Sequence, residues 1–382
     1  MANHVNTVQE INDFATLTGY RSAWDSLLPQ TPGASFFHSL DWLETYWSHF
    51  GARRRLRVLL VYSGDECIGV LPLVVRNERR LGAPLRVLTY PLDNWGSFYG
   101  PIGPDPAVTL LAGLEHIRRT RRDWDLIELP WVDAQGSDQG RTLSAMKNAG
   151  LVPHGESRQA SALIDLTAQG RWNAYWASRS SHWRTNVRRS EKKLAQRGTV
   201  TYVRYRPEGA ARSDADPRWD LYQACEAIAQ TSWQGSSQTG TTLTHQAIRP
   251  FLRDLHLVAT NAGALDLNLL LVDGKSVAFN YAYQYRGHVF GLRTGFDREF
   301  KAEGPGTVLQ ARMIEDCFAR GDHTYDLGPD YLACKRHWQS HAQRGFRYSH
   351  FASHAPLAQL VRLKRSIELV WPRLMRTASG KA

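Results

Sequence analysis

The sequence predicts an α/β protein of two related units, each a mostly antiparallel mixed sheet flanked by helices. Two observations carry this expectation. Each half holds three strand-like runs joined by tight turns, and each of these meanders leads through a Gly/Pro-rich loop into a helix and a short strand. In the first half RLRVLLVYSGDECIGVLPLVVRNERR and PLRVLTYPL precede GPIGPDPAVTLLAGLEHIRRTRR and WDLIELPWV; in the second, ALDLNLLLVDGKSVAFNYAYQYRGHVFGLRTGFD precedes KAEGPGTVLQARMIEDCFARG and TYDLGP. A chain of 382 residues has room for two ordinary domains, and its 42% apolar fraction and 13 Trp support packed cores.

Taken in order, residues 9–50 read as helical, with a break at Pro29–Gly33 and a second helix, LDWLETYWSHF, capped by Ser39 or Asp41. A hairpin turns at Gly64-Asp65, Pro106 suits a first helical turn, RTLSAMKNAG is a helix ending at Gly150, and QASALIDL is a closing strand. SHWRTNVRRSEKKL follows as a basic helix. Trp183, Val187 and Leu194 share its inner side, and Arg184, Arg188, Arg189, Lys192, Lys193 and Arg197 make the remainder either a solvated face or an anion-binding one. TVTYVRY is a strand, PRWDLYQACEAIAQTSW a helix, and WQGSSQTGTTL a polar loop suited to covering a site. Asp273-Gly274 and Arg286-Gly287 sit between apolar runs, where two-residue hairpin turns need positive φ. Val308, Leu309, Met313, Ile314, Cys317 and Phe318 give the next helix an apolar stripe that stops at Gly321. The tail APLAQLVRLKRSIELVWPRLMRT is an amphipathic basic helix, read as covering the core, with peripheral membrane contact left open.

The net charge of +11 favours anionic partners such as nucleotides, CoA, glycans or tRNA. Cys67, Cys225, Cys317 and Cys334 form no paired motif, which argues against a zinc site or disulfide framework and for a reducing cytoplasm. No signal-like N-terminus and no membrane-length apolar run are present, so a cytoplasmic location is expected.

A strand entering a Gly-rich turn that opens a helix is a phosphate-site geometry, because the first helical N–H groups and the helix dipole favour an anion. Here Lys301, Gly304 and Gly306 give the order basic-x-x-Gly-x-Gly, followed by Thr307. The expectation is that the N–H groups of 304–308 surround a pyrophosphate, with Gly306 at close approach and in a positive-φ backbone. The first-half loop Tyr99–Pro104 lacks both the leading basic residue and the Gly-x-Gly spacing, so no nucleotide is expected there.

The basic helix, Trp233-Gln234-Gly235, the Tyr-rich meander, Gly295-Phe296-Asp297, EGPGT, YDLG and the Lys335/Trp338 pair occur in an order that resembles the CelD-like acetyltransferase family. That family lies in the GNAT superfamily and is similar to the Fem-type peptidyltransferases, which use tandem GNAT-like domains. The likeness spans about residues 160–345, and the N-terminal half in outline. Lys301 stands where the GNAT loop usually has Arg or Gln. The resemblance implies domains at 1–165 (no cofactor site) and 166–356 (acyl-CoA-binding), with a basic tail at 357–382. It implies acyl transfer from acetyl-CoA or another acyl-CoA to an amine of a sugar, amino acid, lipid or natural-product acceptor.

Such transfer needs a base for the amine and an acid for the leaving thiolate. No G-x-S-x-G elbow or Cys–His pairing is present, so direct attack on the thioester is expected. Asp297, Asp326 and Asp330 are the candidate bases, with His323 and His337 behind them. Tyr283, Tyr285 and Tyr331 are the candidate proton donors. Each also has a structural reading, as cap, turn or packing residue. Arg188, Arg189, Trp233, Gln234 and Lys335 are the candidate substrate contacts. The rivals are a Fem-like transferase using aminoacyl-tRNA and a non-catalytic module of polysaccharide assembly.

Overall fold

The computed structural model describes residues 6–96, 98–168, 170–237, 240–329 and 332–379, with side chains as far as 368. The N-terminal half runs β1 (Thr7–Ile11), α1 (Phe14–Thr18), α2 (Arg21–Leu27), α3 (Leu40–Phe50), β2 (Arg54–Ser63), β3 (Glu66–Arg80), β4 (Ala83–Thr89), α4 (Pro106–Arg119), β5 (Leu126–Val132), α5 (Arg141–Asn148) and β6 (His154–Asp165). The C-terminal half runs α6 (Trp172–Ser178), α7 (Ser181–Ala195), β7 (Val200–Tyr205), α8 (Trp219–Thr231), α9 (Arg249–Asn261), β8 (Leu265–Val272), β9 (Lys275–Tyr285), β10 (His288–Phe296), α10 (Pro305–Arg320), β11 (Thr324–Pro329), α11 (Leu332–Lys335) and β12 (His341–Phe351). A last helix, α12, covers Pro356–Ser379.

The segment 9–50 is not helical throughout. Residues 7–11 alternate outward and inward and pair antiparallel with β2, so they extend the sheet edge instead of starting a helix. Ser39 caps α3 by accepting from the Trp42 N–H, while Asp41 pairs with Arg21. Both predicted hairpin turns of the second meander form, with positive φ at Asp273, Gly274, Arg286 and Gly287.

The two halves repeat one order: an antiparallel meander (β2–β4 or β8–β10), a helix (α4 or α10), a strand parallel to the meander's last (β5 or β11), and a closing strand (β6 or β12). The sequence expects two units meeting near residues 155–180. The structure instead joins them in one twelve-stranded sheet, β1-β2-β3-β4-β5-β12-β6-β11-β10-β9-β8-β7. The cause is an exchange of closing strands: β6 pairs with β11 and β12 pairs with β5, while β6 and β12 pair with each other. Each half therefore covers the edge that the other would leave open.

Two apolar clusters divide the C-terminal sheet by face. Phe279, Tyr281, Tyr283 and Phe290 join the large cluster that contains Phe36, Phe37, Trp42 and residues of α8 and α9. Val289, Tyr325, Ala278 and Ala282 face Val308, Leu309, Met313 and Ile314 of α10, together with Val187 and Leu194 of α7. Helices α7 and α10 thus lie on one face, and α8, α9 and the N-terminal half cover the other. On α12, Ala358 and Val361 are buried against the core, while Leu360, Leu363 and Ile367 stay exposed. No helix among the described residues is long and apolar enough to cross a membrane.

Candidate active site

The parallel pair β10 and β11 keeps register for only three steps, ending at Phe290↔Asp326. Beyond that step β10 shifts register against β9 between Gly291 and Arg293, and β11 shifts against β6 between Asp326 and Pro329. Two irregularities on adjacent strands open the sheet at one level. Gly328 turns the end of β11 at φ +81°, with its Cα so close to Gly291 that an added Cβ would lie 3.2 Å from the Gly291 carbonyl oxygen.

Asp326 sits at the base of this opening and is buried. Its Oδ1 accepts from the Ser161 hydroxyl at 2.6 Å and the Gly328 N–H at 2.7 Å. Burial pushes its carboxyl above the ordinary value, against the pull of these two bonds and of Lys335. Ser161 is contributed by the exchanged strand β6, 165 positions away in sequence. No local signal in the sequence pointed to it.

Between β10 and β11 the chain passes through Lys301–Gly304 into α10. Gly304 precedes α10 in a left-handed conformation, φ +69°, and provides no capping side chain. Gly306 lies inside the first turn with no positive φ, so the expected strain belongs to Gly304, where the helix begins. A Cβ on Gly304 would meet Ser190 Oγ at 2.8 Å, whereas one on Gly306 would only touch Phe296 at 3.5 Å. Thr307 and Val308 donate back to the Gly304 carbonyl. Lys301 is exposed and makes no ion pair among the described residues.

Helix α7 lies along this region. Lys193 donates to the Ala302 carbonyl at 3.0 Å, and Arg197, just beyond α7, reaches Glu299 and Glu303 and covers the Phe300 ring. At its other end Trp183 stacks on His337, with ring centres 4.4 Å apart, and meets Trp338 edge-on. The helix therefore bridges the 299–304 loop and the segment after β11. Arg188 and Arg189 are exposed and form no ion pair among the described residues, so the outer face is open cationic surface.

The other candidates scatter. Lys335 donates to the carbonyls of Gly328 and Pro329, which pins the end of β11 near Asp326. Asp330 and Tyr331 lie outside the described residues. Asp297 caps the turn 298–300 by accepting from Glu299 N–H and pairs with Lys275 at 3.1 Å, a local structural role. Tyr283 is buried in the ring cluster with Phe36 and Phe37, and burial raises its hydroxyl. Tyr285 stands opposite His288 at the hairpin end of β9, away from the opening, and burial raises it too. His323 is exposed beside Gly287, also at that far end. Trp233 and Gln234 both donate to the Thr294 carbonyl, and buried Gln234 also accepts from Leu243 N–H. Their loop is thereby strapped across β10 just past its bulge. Arg293, which no sequence signal marks, lies beneath that strap, with its Nε donating to the Thr241 carbonyl.

In the N-terminal half the matching helix is capped differently. Asp105 accepts from the N–H groups of both Ala107 and Val108 at the start of α4.

A parallel strand pair that opens beside an uncapped helix N-terminus offers backbone N–H groups to an anionic ligand. Residues 181–336 match the acetyltransferase (GNAT) domain family, which makes this part of the chain a GNAT domain. The whole chain is similar in fold to the crystal structure of FemX, with TM-score 0.62 at 14% identity, covering 92% of this chain and 99% of that one. It is also similar to a protein of unknown function from Bacteroides thetaiotaomicron, with TM-score 0.54 at 9% identity, covering 90% and 100%. No curated protein matches the sequence.

Proposed function

We propose that this N-acyltransferase takes its acyl group, acetyl in the simplest case, from acyl-CoA and passes it to the amine of a small-molecule acceptor. The observation that carries the reading is the side-chain-free N-terminus of α10 beside the opening that ends at Asp326. The CoA pyrophosphate lies against the N–H groups at the start of α10, with Lys301 alongside, and the thioester enters between β10 and β11. The division of labour follows the chain: residues 166–356 hold the donor, 1–165 wall the acceptor side, and 357–382 form the tail.

The acceptor's neutral nitrogen attacks the thioester carbonyl carbon. A C–N bond forms, the C–S bond breaks, the amine proton goes to the Asp326 carboxylate, and CoA leaves as a thiolate that then takes up a proton. A carboxyl raised by burial is a better base than an exposed one. Tyr283 lies on the same sheet face two strands from Asp326, roughly 10 Å away by strand spacing, and is the nearer of the two tyrosines to the opening. Cys225 and Cys317 are buried with their thiols raised by burial, which supports direct attack over an acyl-enzyme.

A second reading, an aminoacyl-tRNA donor used in the Fem manner, is favoured by the FemX-like fold and by the open Arg188/Arg189 face. Thermal shift against acetyl-CoA, longer acyl-CoAs, free CoA and tRNA separates them, since a ligand of the native state raises the midpoint. A rise with CoA species and none with tRNA supports the first reading; the reverse pattern replaces it with the second.

A further inference from the structure

Arg293 stands apart from the other enclosed arginines of this protein. Arg57, Arg204, Arg206 and Arg347 each lie against carboxylates, supplied by Glu10 and Asp123, by Asp266 and Asp322, or by Glu128 and Glu156. Arg293 has no carboxylate within ion-pair distance among the described residues. Its Nε donates to the Thr241 carbonyl at 2.5 Å and its Nη1 to its neighbour Leu292's carbonyl at 2.6 Å, and the guanidinium lies 5.9 Å from the Trp95 ring centre. Among the described residues nothing accepts a hydrogen bond from its Nη2. An enclosed cation without a counter-ion is costly, and the cost falls when an anion arrives. Burial already weakens its hold on the proton, down to about 10, so at neutral pH it remains a cation.

The surroundings point the same way. Arg293 faces a cavity of about 20 Å³ lined by Phe37, Trp42, Trp95, Tyr281 and Tyr283, with Leu243 from the strap loop. That space suits one water-sized polar atom, such as an oxygen of a planar carboxylate, better than a whole phosphate. Arg293 stands opposite Tyr281, and Phe290 opposite both Tyr283 and Asp326, so Arg293 and Asp326 share the sheet face turned to the N-terminal half. By strand rise, Arg293 is three residues, or roughly 10 Å, along β10 from the level of Asp326.

We infer that Arg293 receives a carboxylate of the acceptor, so that the amine substrate of this enzyme is itself an acid, with its amine held toward Asp326 from the face opposite α10. The inference rests on the acyl-transfer reading for the reaction but not for the binding. A guanidinium fork matches a carboxylate in two parallel bonds, whereas a lysine would meet it as a point charge. Trp233 and Gln234 bond the Thr294 carbonyl beside Arg293, and the Thr241 carbonyl orients the fork.

The test uses matched pairs of amines at neutral pH: alanine with alaninamide, glutamate with glutamine, muramic acid with glucosamine, and glucosamine 6-phosphate with glucosamine. Binding is read by calorimetry with CoA present and absent, and turnover by release of free thiol from acetyl-CoA. Wild type should favour the carboxylate member of at least one pair by about 10- to 100-fold, the range expected for one charge-assisted contact. Arg293→Gln should erase that preference with CoA affinity unchanged, and Arg293→Lys should keep a small part of it. A thermal midpoint near wild type for Arg293→Lys guards against reading misfolding as lost recognition. Equal behaviour of acid and neutral members in every pair, whether both bind or neither does, overturns the inference, and preference for the phosphate alone overturns the carboxylate assignment. Acid-selective binding without any response to acyl-CoA would instead leave Arg293 standing and remove the proposed donor.

Discussion

Thr89↔Glu128 on one side of the sheet and Phe290↔Asp326 on the other are the same step in two copies of one arrangement. Each is the last in-register pair of a parallel strand couple, and each puts a buried carboxylate there. The environments then diverge. Glu128 is ringed by Arg347, Arg365 and Arg80, which overcome the effect of burial and hold its carboxyl below the ordinary range. Asp326 has a hydroxyl, a backbone N–H and the nearby Lys335, and burial wins. The helices differ in the same sense. At α4 the Asp105 carboxylate already occupies the first free amides, while at α10 Gly304 leaves its end without a side chain. The N-terminal opening is also bridged, by the bond from Tyr99 N–H to the Trp131 carbonyl. We read the N-terminal copy as one filled by the protein's own charges, and the C-terminal copy as one left open for a ligand's.

Exchanging the two carboxylates for amides separates these roles. Asp326→Asn should cut turnover by about 10²- to 10⁴-fold, the usual weight of a general base, with acetyl-CoA affinity retained. Glu128→Gln should leave turnover in the folded fraction near wild type but destabilise by about 3 kcal/mol, because it strands buried guanidinium groups. A denaturant series on both variants, beside a thiol-release assay, reads the two effects. Equal loss of turnover in both would erase the distinction between the halves.

The pH dependence should split likewise. Since Asp326 is raised in the fold, activity should fall on the acid side through a value above the ordinary 3.8, and this limb should vanish in Asp326→Asn. Its ionisation works against folding, so its contribution to stability is present below the unfolded value and lost as pH rises through the folded one. Glu128 is depressed, so its contribution is present above the unfolded value and lost as pH falls through the folded one. Removing the Asp105 cap by Asp105→Ala should cost about 1 kcal/mol in the same denaturant series, with acetyl-CoA binding unaffected. The smallest effect belongs to the open face of α7. Arg188→Ala with Arg189→Ala should lower the salt slope for a tRNA probe by about 2 if both touch phosphate, and leave it unchanged if the face is only solvated.

Much of this comparison was legible in local sequence. Asp-Gly and Arg-Gly dipeptides between apolar runs marked the second meander, and apolar spacing with a terminal Gly marked α10. The unread parts are mostly non-local. The exchange of β6 and β12 depends on which edge each strand finds, and HAQRGFRYSHF carries too many polar residues to announce a central strand. The helix at 249–261 went unassigned because its apolar residues are interleaved with Arg, Asp, His and an early Pro. At the site, spacing identified Gly304 and Gly306 but could not tell which takes positive φ, which is set by the seat of Gly304 against Ser190. Ser161 and Arg293 were invisible for a related reason: their significance lies in partners gained, or lacked, only in the folded chain.

The most direct measurement is calorimetric titration of acetyl-CoA into wild type and Gly306→Val. A Cβ at this position meets no backbone strain and only ordinary contact with Phe296, so the thermal midpoint should hardly move, while the phosphates lose their approach to α10. The expected result is one equivalent bound per wild-type chain and affinity weakened at least about 100-fold in the variant. Undiminished binding to Gly306→Val, or two equivalents per wild-type chain, would contradict the assignment of the donor to the C-terminal copy alone.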